Sequence, residues 1–217
     1  MRTSQIAVSV LMAVYNTDFR LVKRAIDSVL GQTFQYFELI LVDDGSDGTL
    51  SKKILEYCDL HSSKITYVKH QNCGQSQSIN RAIRLSSGKY IAIIDSDDEY
   101  KINHLAACMN EMDSADLISS ITETITDSHV DFYVPDKDDH QTDIHVDDCI
   151  LFATLFGRRE VFEKLVFKNM YAADADFYAR ASAEFVVKKV NLRTYIYYRN
   201  IESSLSAVLK RSQIALQ

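Results

Sequence analysis

Within the first hundred residues, apolar runs alternate with helix-patterned segments, and three of the four runs are followed by polar clusters. Residues 7–14 (AVSVLMAV), 37–42 (FELILV), 65–68 (ITYV) and 90–94 (YIAII) lack clean alternation, as strands buried on both faces do. Asp18 is placed to cap a helix whose apolar face is Leu21, Ala25, Ile26 and Val29, with Gly31 at its end. Residues 49–58 form a second helix, with Leu50, Ile54 and Leu55 on one side, and residues 76–86 a third. Strands and helices in this order define parallel βαβ units with right-handed crossovers, a doubly wound sheet over residues 1–100. Ligands of such sheets sit beyond the carboxyl ends of the strands. Tyr15-Asn16, Asp43-Asp44 and residues 95–98 (DSDD) all lie there, so three polar clusters should meet on one edge.

The second half has a different rhythm. Residues 103–111, 159–165 and 174–183 read as helices, 116–126 alternates like a strand, and 185–198 ends as a strand rich in Val and Tyr. No Pro- or Gly-rich linker separates the halves. The expectation is one domain over 1–217, with the second half an α+β extension of the first sheet.

Charge is unevenly spread. Lys and Arg number 24 against 30 acids, a net −6, yet residues 127–148 alone carry −7, with eight Asp and one Lys. The remainder is near neutral, which argues against general nucleic-acid binding. The acidic stretch reads as a loop, and its His129, His140 and His145 match no metal-ligand spacing. His61, His70 and His104 read as surface or helix-end residues. Cys58, Cys73, Cys108 and Cys149 form no CxxC and read as free thiols of a reducing compartment. No run approaches the roughly 20 apolar residues that span a bilayer, and the first eight residues do not resemble a signal peptide.

The strand-end clusters carry the chemistry. Asp95 and Asp97, two apart after a buried strand, can share one hard cation, leaving its other positions to phosphate oxygens and water. The bland alternative is an acidic turn capping the next helix. Asp43 and Asp44 read either as a plain turn or as a contact to a base or ribose. Tyr15 reads either as packing or as a stacking platform. A haloacid-dehalogenase phosphatase would need DxDGT after its first strand, and a nucleotidyltransferase a glycine-rich early loop. Neither is present.

Four ordered segments, VSVLMAVYN at 8–16, SVLGQTFQYFELILVDDGSDGT at 28–49, NCGQSQSINRAI at 72–83 and GKYIAIIDSDD at 88–98, resemble inverting family 2 glycosyltransferases of the GT-A fold. Weaker echoes follow at 156–165, 174–180 and 197–206. The resemblance implies a mostly parallel, Rossmann-like sheet flanked by helices, with a smaller acceptor-side α+β part. It assigns 1–100 to the nucleotide-sugar half and 101–217 to the acceptor side, with the acidic loop at 127–148 beside the acceptor. It further implies donor contacts from Ala13, Tyr15, Asp43, Asp44, Asn80, Asp95 and Ser96. Asp97 and Asp95 would hold Mg²⁺ or Mn²⁺, and Asp174, six residues before Arg180, would be the general base.

The expected partners are a nucleoside-diphosphate sugar, a UDP-sugar first, and a saccharide or lipid-linked acceptor, in polysaccharide or glycan biosynthesis. The expected location is the cytoplasm, with room for peripheral association at the inner membrane face and for a homodimer. The chain departs from the family pattern at Ile79, Ile102, Ala173 and Ile201. The alternative reading is therefore a catalytically weak or inactive sugar-nucleotide-binding or scaffold protein.

Overall fold

The computed structural model describes residues 6–136 and 142–200. Its first half is β1 (Val8–Val14), α1 (Phe19–Leu30), β2 (Phe37–Asp43), α2 (Gly48–Asp59), β3 (Ile65–Lys69), α3 (Gln75–Leu85) and β4 (Tyr90–Asp95). These strands pair in parallel in the order β4-β1-β2-β3. The chain steps outward from β1 to β3 and then returns to the other side of β1, so the topological switch point lies between β1 and β4. Val10, Leu11, Met12, Leu39, Ile40, Leu41, Ile91, Ile93 and Ile94 are all buried, which explains why their runs do not alternate. In register, Ala13 of β1 lies between Asp95 and Val42, and Val14 opposite Asp43, so the three polar clusters do share one edge.

The remaining elements are β5 (Glu99–Tyr100), α4 (His104–Glu111), β6 (Leu117–Ser120), β7 (Glu123–Ile125), β8 (Tyr133–Pro135), β9 (Asp143–His145), β10 (Leu155–Arg158), α5 (Arg159–Leu165), α6 (Ala173–Ser182), β11 (Val187–Val190) and β12 (Tyr195–Tyr198). They continue the large sheet as β11-β6-β10-β4, with β10 antiparallel to both neighbours. A second sheet, β5-β12-β7, stands at the end of β4.

Local differences from the sequence reading have identifiable causes. Residues 116–126 are two strands in two sheets, and so are 185–198: the chain leaves the large sheet at Ile121 and again after Val190. Val22 takes the buried place expected of Leu21, and Cys58 that of Leu55, which is 41% exposed. Gly31 ends α1 with φ −77°, a conformation open to any residue, rather than left-handed.

His104 is buried rather than superficial, stacked on Tyr100 with centroids 3.9 Å apart and with Nδ1 2.8 Å from Thr194 Oγ1. The described residues of the acidic stretch, 127–136 and 142–148, are more structured than a loop. They contain a one-turn helix at His129–Phe132 and the β8-β9 hairpin, where the His145 ring stacks on Phe132. Asp138, Asp139, His140 and Ile201 lie outside the described residues.

Candidate active site

The two adjacent aspartates after β2 have separate tasks. Asp43 is fully buried and accepts from Ser46 N (2.8 Å), Tyr67 Oη (2.7 Å) and Ser51 Oγ, which ties β2 to the start of α2. Burial raises its carboxyl, but these hydrogen bonds outweigh that and hold it below the ordinary range. Asp44 accepts from Cys73 N (2.8 Å), Gly74 N (2.9 Å) and Asn72 Nδ2 (3.1 Å), with His70 Nε2 3.3 Å away. It thus joins the end of β2 to the loop before α3. The close approach requires Gly45, which has φ +83° and whose Cβ would meet Asn72 N at 2.7 Å.

Asp95 and Asp97 lie at the end of β4 and in the turn after it, both half-buried. Asp174, in the first turn of α6, is near enough for its charge to act on Asp95. Phe177 and Ala181 bury the same helix face in the core. The Asp95 carboxyl is pushed up to about 7, by burial first and then by the Asp97 and Asp174 carboxylates. Burial raises Asp97 and Asp174 as well. Among the described residues no Lys or Arg side chain forms an ion pair with these three. A crowd of carboxylate oxygens without a paired cation is the kind of donor set that could hold a hard divalent ion, with Asp95 and Asp97 as candidate ligands.

Asp98 does not belong to that donor set. It is 1% exposed and accepts from Tyr195 Oη (2.7 Å) and Tyr198 N (2.9 Å). Asn80 also has an internal task. Its amide donates to Phe167 O (2.7 Å) and accepts from Phe167 N (2.9 Å), clasping α3 to the segment after α5. Tyr15 is 54% exposed at the end of β1, and Ser96 is buried with Oγ 2.8 Å from Thr17 Oγ1.

Several site neighbours escape the sequence reading. Gln75 Nε2 donates to Asp95 Oδ1 at 2.7 Å. Arg24 stacks on Tyr198, 3.8 Å from the ring centroid, and donates to the Asp97 carbonyl. Gln75 lay within a matched segment and its place at the start of a helix was a usable signal. Tyr195 and Arg24 reach the site only through tertiary pairing.

A twisted, mostly parallel sheet with acidic groups at its switch point is the GT-A architecture, and solved structures agree on the fold. TarS residues 1–349 from S. aureus, in complex with UDP-GlcNAc, superposes with a TM-score of 0.71 at 20% identity, over 93% of this chain and 60% of that one. The mannosyltransferase PcManGT from Pyrobaculum calidifontis, in complex with GDP-Man and Mn²⁺, gives 0.71 at 17% identity, over 97% and 62%.

Residues 9–166 match the profile of Glycosyl transferase family 2, and the chain belongs to that family. Similar relatives include an uncharacterized glycosyltransferase of Methanocaldococcus jannaschii, 36% identical over 92 residues, and glycosyltransferase GlyG of Streptococcus pneumoniae, 34% identical over 110. These matches cover 42% and 50% of this chain but only 32% and 36% of those relatives. No helix among the described residues is long and apolar enough to cross a membrane.

Proposed function

We propose that the chain transfers a sugar from a nucleoside-diphosphate sugar to an acceptor hydroxyl, with inversion at the anomeric carbon, in the building of a polysaccharide or glycan. The observation that carries this reading is the convergence of Asp95, Asp97 and Asp174, from β4, the turn after it and α6, on one patch at the sheet's switch point. Asp95 and Asp97 would hold Mg²⁺ or Mn²⁺. When bound, the ion supplies Lewis-acid stabilisation of the charge that develops on the leaving diphosphate. The neighbours in complex with UDP-GlcNAc and with GDP-Man and Mn²⁺ support a donor and ion of these classes.

The chain's own residues divide the remaining work. Tyr15 offers an exposed ring face to the base at the end of β1. Asp44, held by three N–H donors, presents a fixed carboxylate at the base end of the cleft. Asp43 and Asn80 act as positioning residues, because they set the loops that carry Asp44 and the α6 approach. Ala13, with its small side chain, and Ser96 border the donor beside Asp95. Asp174 takes the proton of the acceptor hydroxyl, and its burial-raised carboxyl is a better base than an exposed one. The hydroxyl then attacks the anomeric carbon from the face opposite the leaving diphosphate.

The test is a thermal-shift and product screen with UDP-, GDP- and dTDP-sugars in Mg²⁺ and Mn²⁺. Stabilisation and donor turnover with one nucleotide class are expected. No response to any donor would overturn the reading.

A further inference from the structure

We propose a second cation site, made by Asp44, His70 and Cys73 and suited to Zn²⁺, whose occupancy shuts the base end of the donor cleft. The last clause rests on the donor reading above; the metal site does not.

One oxygen, one nitrogen and one sulfur ligand atom from these three side chains lie within 4.8 Å of one another. His70 Nε2 is 3.3 Å from Asp44 Oδ1 and 4.0 Å from Cys73 Sγ, and Nδ1 is 3.4 Å from Sγ. Metal bonds of about 2.0–2.3 Å at tetrahedral angles separate ligand atoms by roughly 3.3–3.8 Å, so a small turn of the exposed Cys73 side chain completes the arrangement. Thiolate, imidazole and carboxylate together favour a borderline-soft ion, in contrast to the all-oxygen set of Asp95 and Asp97.

The support beneath the ligands is firm. Asp44 is fixed by the Cys73 and Gly74 N–H groups, and the His70 N–H donates to Asp43 O at 3.1 Å. Ser78 Oγ, 3.0 Å from His70 Nε2, also reaches the Gly74 carbonyl at 3.1 Å, so it keeps a partner when the ring turns to a cation. Exposure of Cys73 supplies the entry path and leaves the fourth position to water. Coordination releases the thiol proton to solvent and forms the metal–sulfur bond, with no change of oxidation state. A cation seated on Asp44 removes the carboxylate that would meet the base, so metal and nucleotide exclude one another.

Co²⁺ serves as the spectroscopic probe on the intact chain. A thiolate-to-cobalt charge-transfer band at one equivalent is expected, retained in Cys149→Ser and lost in Cys73→Ser. Calorimetry with Zn²⁺ should show Cys73→Ser and His70→Gln weakened by at least about 10-fold, the lower bound for losing even an outer-shell partner. No band in the wild type, or a band that survives Cys73→Ser, overturns the site. In the second arm, Zn²⁺ should weaken Mn²⁺-supported UDP or GDP binding to the wild type and not to Cys73→Ser. Equal effects on both proteins overturn the exclusion. Absence of nucleotide binding without Zn²⁺ counts against the donor reading alone, since the cobalt spectrum decides the metal site separately.

Discussion

Tyr195 Oη donates to Asp98 Oδ2 at 2.7 Å and accepts from the Asp95 N–H at 3.2 Å, so one phenol from β12 braces both ends of the acidic turn. Asp98 and Tyr195 are both almost wholly buried. Replacing Tyr195 by Phe leaves a buried carboxyl and a backbone N–H short of a partner, at a cost of about 1–3 kcal/mol. Urea unfolding should show that loss for Tyr195→Phe and none for Tyr36→Phe, whose ring is 58% exposed. Equal stability of the two variants would show that the brace contributes nothing.

Asn80 makes a second tie of the same kind. Its amide forms two hydrogen bonds with the Phe167 backbone, neither of which Ala can replace. Asn80→Ala should destabilise by about 2–4 kcal/mol, from two buried backbone groups left unpaired. A variant that melts like the wild type but binds donor poorly would instead make Asn80 a donor contact.

Cation binding should depend on pH through Asp95. Its carboxyl titrates at about 7 in the cation-free chain because of burial and the Asp97 and Asp174 charges. A divalent ion needs the ionised form, so Mn²⁺ affinity should rise as pH passes upward through about 7 and binding there should release a proton. Calorimetry in buffers of different ionisation enthalpy reads that proton directly. Affinity unchanged between pH 6 and 8 would contradict the assignment.

His104 sets an acid limit on stability. Burial lowers its pKa from 6.5 to about 3, so the folded chain keeps the ring neutral while the unfolded chain protonates it. This contribution is complete above pH 6.5 and is lost as pH falls towards 3, by on the order of 5 kcal/mol in total. The raised Asp95 acts in the opposite sense over part of that window, so the comparison must be with a variant. The stability of His104→Asn relative to the wild type should improve as pH drops below 6.5. A constant difference would mean that the ring protonates in the fold as readily as in the unfolded chain.

The parallel half of the fold was legible because its strands are buried on both faces and its first helix carries a local cap, Asp18. The strand-end clusters were legible for the same reason. The second half was not, because its breaks depend on which sheet a strand joins. Residues 116–126 read as one alternating strand, and nothing local says that Glu123 pairs with Ile196 while Ser119 pairs with Lys189. Side-chain duties were the least legible. Asp43 and Asp44 look equivalent in sequence, yet Tyr67 claims one and the loop at 72–74 the other. His104 is buried because Tyr100 and Thr194 meet over it, a fact of tertiary packing.

Asp174 separates binding from chemistry. Asp174→Asn should retain nucleotide affinity while transfer to the true acceptor falls by about 10²–10⁴-fold, the usual worth of a general base. Unchanged turnover would remove Asp174 from that role.

The most direct measurement is calorimetric binding of UDP and of GDP to the full chain, with and without Mn²⁺, for the wild type and Asp97→Asn. Metal-assisted donor binding predicts that one nucleotide binds in an Mn²⁺-dependent manner and that Asp97→Asn weakens it by at least about 10-fold, equivalent to about 1.4 kcal/mol. Binding of neither nucleotide, or equal affinity in the variant, would contradict it.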